Sequence, residues 1–121
     1  MRFILSAVLL FGASLLSACS GALGCTDIFI AAVSVTVKDA QGNILKDARV
    51  AYSLDGAAMK DADCFSPETG GGCELWSTPD QPGDYLVRAT SADGSRTAEQ
   101  RIQVDGDECH ASPESMTLTL Q

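Results

Sequence analysis

The stretch "VSVTVKDAQGNILKDARVAYSLDG", residues 33–56, decides the fold. Val33, Val35 and Val37 alternate with Ser34, Thr36 and Lys38. A two-residue period sends successive side chains to opposite faces, so this is a strand with one buried and one solvated face. "DAQGN" (39–43) turns the chain, with Gly42 supplying positive φ. Ile44-Leu45 reads as a short strand, and Ala48, Val50, Tyr52 and Leu54 restart the alternation before a turn at Asp55-Gly56.

Downstream, Ala57 to Phe65 is ambiguous in period, and the strand reading open to it is a short strand leading into the Cys64–Cys73 loop. Cys73 to Trp76 reads as a short strand, and "TPDQPG" (78–83) as a loop with two prolines. Tyr85, Val87 and Ala89 alternate with Leu86, Arg88 and Thr90. Asp93-Gly94 is a hairpin signal, and Thr97 to Val104 is the return strand. "DGDECHASPE" (105–114) is a loop, and Met116, Leu118 and Leu120 mark a last strand. Turn signals about every ten residues, without a helical period, predict an all-β domain over 31–121. The expected architecture is an antiparallel β-sandwich of about seven strands.

The same residues resemble carboxypeptidase regulatory-like domains, the Ig-like sandwiches also described as transthyretin-like or Cna-B-like. The pattern of that family is an alternating strand, Asp, a Gly-centred turn, a short strand, then Ala and another alternating strand. Val33 to Val37, Asp39, Gly42, Ile44-Leu45, Ala48 and Val50 follow it. "PGDYLVRAT" (82–90) is similar to the family's later Gly-x-Tyr strand. The closing "DECHASPESMTLTL" (107–120) looks like the end of small bacterial lipoproteins of this type. The usual Thr-Asp-x-x-Gly segment is replaced by the Cys64–Cys73 loop. The resemblance implies a fold more than a function, because such sandwiches serve many roles.

Upstream, Met1-Arg2 opens a run that is apolar from Phe3 to Leu16 apart from Ser6, Gly12 and Ser14. Small residues and Cys19 follow, the three-part pattern of a secretory signal. The run is shorter than the roughly 20 residues a membrane-spanning helix needs. Leu16-Ser17-Ala18-Cys19 resembles the lipobox of bacterial lipoproteins. That resemblance implies a diacylglycerol on the Cys19 thiol and cleavage just before it, and Ser20 in place of Asp implies the outer membrane. The expected organisation is a lipoprotein signal peptide over 1–18, a lipidated tether over 19–30 and the sandwich over 31–121.

Setting Cys19 aside leaves Cys25, Cys64, Cys73 and Cys109, an even number in an exported chain, which reads as two disulfides. Three pairings exist. Cys64 and Cys73 flank "FSPETGGG" and would meet at the base of a hairpin. Cys25 and Cys109 each lie six residues before a strand start, near Ala31 and Ser115. If those strands run parallel the two cysteines meet, so 64–73 and 25–109 are the expected pairs. The rival is a metal site of Cys64, Cys73, Cys109 and His110, but it lacks Cys-x-x-Cys spacing and sits in an oxidising compartment.

The chain has 121 residues, with 8 Lys plus Arg against 16 Asp plus Glu, a formal charge of −8. That balance excludes phosphate-backbone binding, so no nucleic-acid partner is expected. His110 is the single histidine, and Ser112, two residues on, does not make a triad with it. No catalytic residue, cofactor or resident metal is expected. Asp61-x-Asp63 begins like an EF-hand loop, but Ser66 and Gly72 stand where Gly and Glu belong. Phe65 and Trp76 flank the Cys64–Cys73 loop; exposed there they would suit protein or glycan recognition, but in a chain with so few aromatics they are expected to fill the core. The function expected is a non-catalytic module anchored to the membrane through Cys19, with a protein or envelope partner. The alternative is an accessory domain that binds calcium or another ligand with its acidic loops.

Overall fold

The computed structural model describes Cys25 and residues 27–121. The expected signal peptide over 1–18 and the lipidation candidate Cys19 lie outside the described residues. Eight strands follow in order: β1 (Val33–Asp39), β2 (Arg49–Leu54), β3 (Lys60–Asp61), β4 (Asp63–Pro67), β5 (Cys73–Ser77), β6 (Gly83–Thr90), β7 (Thr97–Val104) and β8 (Glu114–Leu120). They form two four-stranded sheets, ordered β4-β5-β1-β8 and β3-β2-β6-β7. The all-β sandwich is therefore as expected.

Three details differ from the expectation. There are eight strands rather than about seven, and the ambiguous segment, open to one short strand, yields two, β3 and β4. β3 pairs with β2 in one sheet, and β4 pairs with β5 in the other. Between them Ala62 is buried, so the chain changes sheets at a small residue that fits the edge of the core. Ile44-Leu45 is not a strand; Ile44 forms a single bridge to Lys38. The sandwich is also not wholly antiparallel. β1 and β8 run parallel along their full length, from Val33 opposite Glu114 to Asp39 opposite Leu120.

The alternation read in the sequence becomes the core. Val33, Val35 and Val37 of β1 and Met116, Leu118 and Leu120 of β8 point inward from the first sheet. Val50 and Tyr52 of β2 and Tyr85, Val87 and Ala89 of β6 point inward from the second. Burying each of the larger side chains contributes about 1.5–3 kcal/mol. The Tyr52 and Tyr85 rings lie 6.0 Å apart at 46°, a tilted contact within that core.

The strands give the sandwich two distinct ends. At the entry end, β1 and β8 begin and β2, β5 and β7 finish, with loops 27–32, 78–82 and 105–113 together. At the opposite, hairpin end lie the 39–48 connection, the β4–β5 hairpin and the β6–β7 turn.

Candidate functional site

The entry end is assembled from residues far apart in sequence. Tyr85 is the anchor of its middle loop. Its ring is buried in the core, and its hydroxyl donates to the carbonyls of Gln81 at 2.6 Å and Pro79 at 3.3 Å. Burial raises the Tyr85 phenol above its ordinary pKa, so it stays a donor across the physiological range. Thr78 then locks the loop to β1: its N–H donates to the Val33 carbonyl at 3.1 Å, and its Oγ1 accepts the Val33 N–H at 2.9 Å. The Ala32 N–H donates to the Pro79 carbonyl at 3.3 Å.

This scaffold places Asp80, flanked by prolines on either side of its loop, between two other segments. Its carboxylate accepts the Ala111 N–H at 2.7 Å and the Ile30 N–H at 3.3 Å. It also meets His110 Nδ1 at 2.5 Å. An ionised carboxylate can only accept, so Nδ1 carries the proton in this contact. The Ala111 N–H foremost, then the imidazole, holds the Asp80 carboxyl below the usual range. The side chains of His110 and Asp80 are only 19% and 16% exposed. His110 is thus a loop residue hydrogen-bonded beside a disulfide.

That disulfide joins Cys25 to Cys109, 84 residues apart, with Cα atoms at 5.1 Å. The parallel register of β1 and β8 is what brings the two cysteines together. The loop carrying Cys109 is itself shaped by Asp107, whose carboxylate accepts the N–H groups of Cys109 at 2.8 Å and His110 at 2.9 Å. Those bonds, the one from His110 foremost, keep Asp107 below its ordinary pKa. A bridge between Gly106 and Ala111 closes the loop, with no room for a side chain at Gly106: a Cβ there would come within 2.7 Å of the His110 carbonyl.

The second disulfide joins Cys64 to Cys73 across the β4–β5 hairpin, with Cα atoms at 5.8 Å. Both expected pairings are therefore present. The expectation for the flanking aromatics holds only for Trp76. Trp76 packs against the core, where its indole N–H has no acceptor among the described residues. Phe65 is 60% exposed, because β4 is an edge strand whose outer side nothing covers among the described residues.

The acidic loops are built as turns. Asp39 accepts the N–H groups of Gln41 and Asn43, each at 2.9 Å. Asp93 accepts the Ser91 hydroxyl at 2.7 Å and the Ser95 N–H at 3.0 Å, and the Ser91 hydroxyl foremost lowers its pKa strongly. Asp61 lies in β3 and Asp63 in β4, so the pair that opens like an EF-hand is divided between the two sheets. Among the described residues, no group of three or more His, Cys, Asp or Glu side chains is placed to hold a metal ion.

The outer face of the second sheet carries an open depression of about 540 Å³ beside Ser53, Met59, Asp84, Leu86, Arg88 and Arg101. Arg88 is paired there with Glu99 at 2.5 Å. Sequence reasoning missed Asp80, the residue that joins three segments at the entry end. Its only local signal is an acid in a proline-bounded loop; its partners lie 30 to 50 residues away.

No protein-family model matches the chain, and no solved structure matches it.

Proposed function

We propose that this chain is a lipid-anchored, non-catalytic binding module of a bacterial cell envelope, held at the outer membrane through Cys19. One observation carries the reading: the two disulfides use Cys25, Cys109, Cys64 and Cys73, which leaves Cys19 as the odd cysteine of five. An unpaired cysteine in an exported chain needs another chemical fate. Its place behind Leu16-Ser17-Ala18 supports acylation. Two or more acyl chains would hold a domain of this size firmly, at about 0.8 kcal/mol per buried CH₂, where one holds it only marginally.

The non-catalytic reading is supported by how the polar groups are used. Asp80 orients His110, as a carboxylate orients a catalytic base, yet the same carboxylate also ties down the backbone of Ile30 and Ala111. A pair that fastens three segments together is a structural joint. Recognition of a protein or envelope partner is left to the surface of the sandwich and its loops.

Intact mass spectrometry of protein purified from membranes tests the anchor. The expected mature chain begins at Cys19, carries a diacylglycerol and retains both disulfides. A Cys19→Ala form is expected to leave the membrane fraction. A mature chain that lacks acylation, or a Cys19→Ala form that stays membrane-bound, overturns the reading.

A further inference from the structure

We infer that Ile28 and Phe29 form a second membrane contact, one that enters the interface of a bilayer with little negative charge. The inference rests on the anchoring of Cys19 proposed above.

Ile28 is 64% exposed and Phe29 53%, two consecutive large apolar side chains in solvent. The segment that carries them is held on both sides. Cys25 is fixed to Cys109 before it, and the Ile30 N–H is held by Asp80 after it. The pair is therefore presented from a fastened piece of chain rather than from a free tail.

The disulfide also sets how far this end can lie from an anchored Cys19. Six residues separate positions 19 and 25. At about 3.3–3.6 Å per fully extended residue, Cys25 stays within about 20 Å of the lipidated residue. Ile28 and Phe29 follow within four residues. The bilayer is the apolar phase that chain length places within their reach. The other two exposed large hydrophobics among the described residues, Ile44 and Phe65, are on the 39–48 connection and on β4.

The surroundings select the kind of bilayer. Asp27, Asp55, Asp105, Asp107, Glu108 and Glu114 share the entry end. Against them stand Lys60, which lines the same hollow as Pro79 and Gln81, and Arg101, which lines the outer-face depression with Asp55. An anionic leaflet repels such a rim over a Debye length of about 8 Å at physiological salt. A zwitterionic leaflet leaves the apolar pair free to enter.

The test uses the full acylated chain carrying Phe29→Trp in a Trp76→Phe background, bound to phosphatidylcholine vesicles. The expected result is a blue-shifted reporter quenched by lipids brominated high in the acyl chain. Phosphatidylglycerol should weaken that quenching and added salt should restore it. Should Trp76→Phe disturb folding, the difference spectrum of Phe29→Trp against the parent gives the same reading. A Phe65→Trp reporter is the control, expected to stay unquenched. An acylated protein whose Phe29→Trp reporter is unquenched, or quenched no more than the Phe65→Trp reporter, overturns this contact and leaves the anchor standing. A mature chain without acyl groups overturns both.

Discussion

At the entry end a cystine spans 84 residues and joins the segment before β1 to the loop before β8. At the hairpin end the other spans 9 residues and closes a turn between neighbouring strands. The first lies beside a carboxylate that gathers three segments; the second lies beside Lys46, whose amine sits 3.5 Å from Glu68 and 3.4 Å from Glu74 on an exposed surface. The contrast teaches where constraint matters in a small domain. Parallel strands have no hairpin to join them, so the ends of β1 and β8 must be brought together across most of the chain. An antiparallel hairpin is local already, and its staple has less chain freedom to remove.

The largest expected effect follows from that difference. Chain entropy assigns roughly 4.6 kcal/mol to a loop of this longer kind and roughly 2.7 kcal/mol to the shorter one. Denaturant unfolding of Cys25→Ser/Cys109→Ser should therefore show the greater loss of stability, and Cys64→Ser/Cys73→Ser the lesser. Equal losses, or a larger one from the hairpin pair, would mean that the entry end is held by its hydrogen bonds and not by its cystine.

Asp80→Asn tests those hydrogen bonds directly, with a smaller expected effect. The Asp80 carboxyl is held below its ordinary pKa in the folded state, first by the Ala111 N–H and then by His110. Its contribution is therefore present above the unfolded value of about 3.9 and is lost as pH falls through the lower folded value. Melting curves between neutral pH and strong acid should show the parent losing stability below about pH 4. Asp80→Asn should start lower at neutral pH and lose less on acidification. Parallel curves for the two proteins would show that Asp80 is not an electrostatic joint.

Much of the sandwich was legible because several of its strands, the edge strand β8 included, have one buried and one wet face. Val33 to Val37, Tyr85 to Ala89 and Met116 to Leu120 alternate in sequence because they alternate in burial. β4 could not be read this way. It is an edge strand with a register shift between Cys64 and Ser66, and most of it is exposed, so no buried face imprints a period on it. Phe65 was misplaced for the same reason. At the entry end the cysteines were legible, since an even count near strand starts limits the pairings. Asp80 was not, because a carboxylate that accepts backbone N–H groups leaves no pattern at its partners: any residue but proline can supply the donor.

The smallest effect separates two neighbouring glycines at the hairpin end. Gly71 has φ +100° and Gly72 φ +93°, both in the region where an L side chain is strained. That backbone term, about 1–2 kcal/mol, is common to Gly71→Ala and Gly72→Ala. Their surroundings differ. A Cβ at Gly71 meets nothing within 4 Å, whereas one at Gly72 would stand 2.8 Å from the Lys46 carbonyl oxygen. That carbonyl accepts the Cys73 N–H at 2.8 Å, so it cannot retreat without loosening the base of the stapled hairpin. Gly72→Ala should therefore cost about 1–3 kcal/mol more than Gly71→Ala in equilibrium unfolding. Equal losses would mean that the 39–48 connection yields to the hairpin, and that the hairpin end lacks the fixed backbone contacts which hold the entry end.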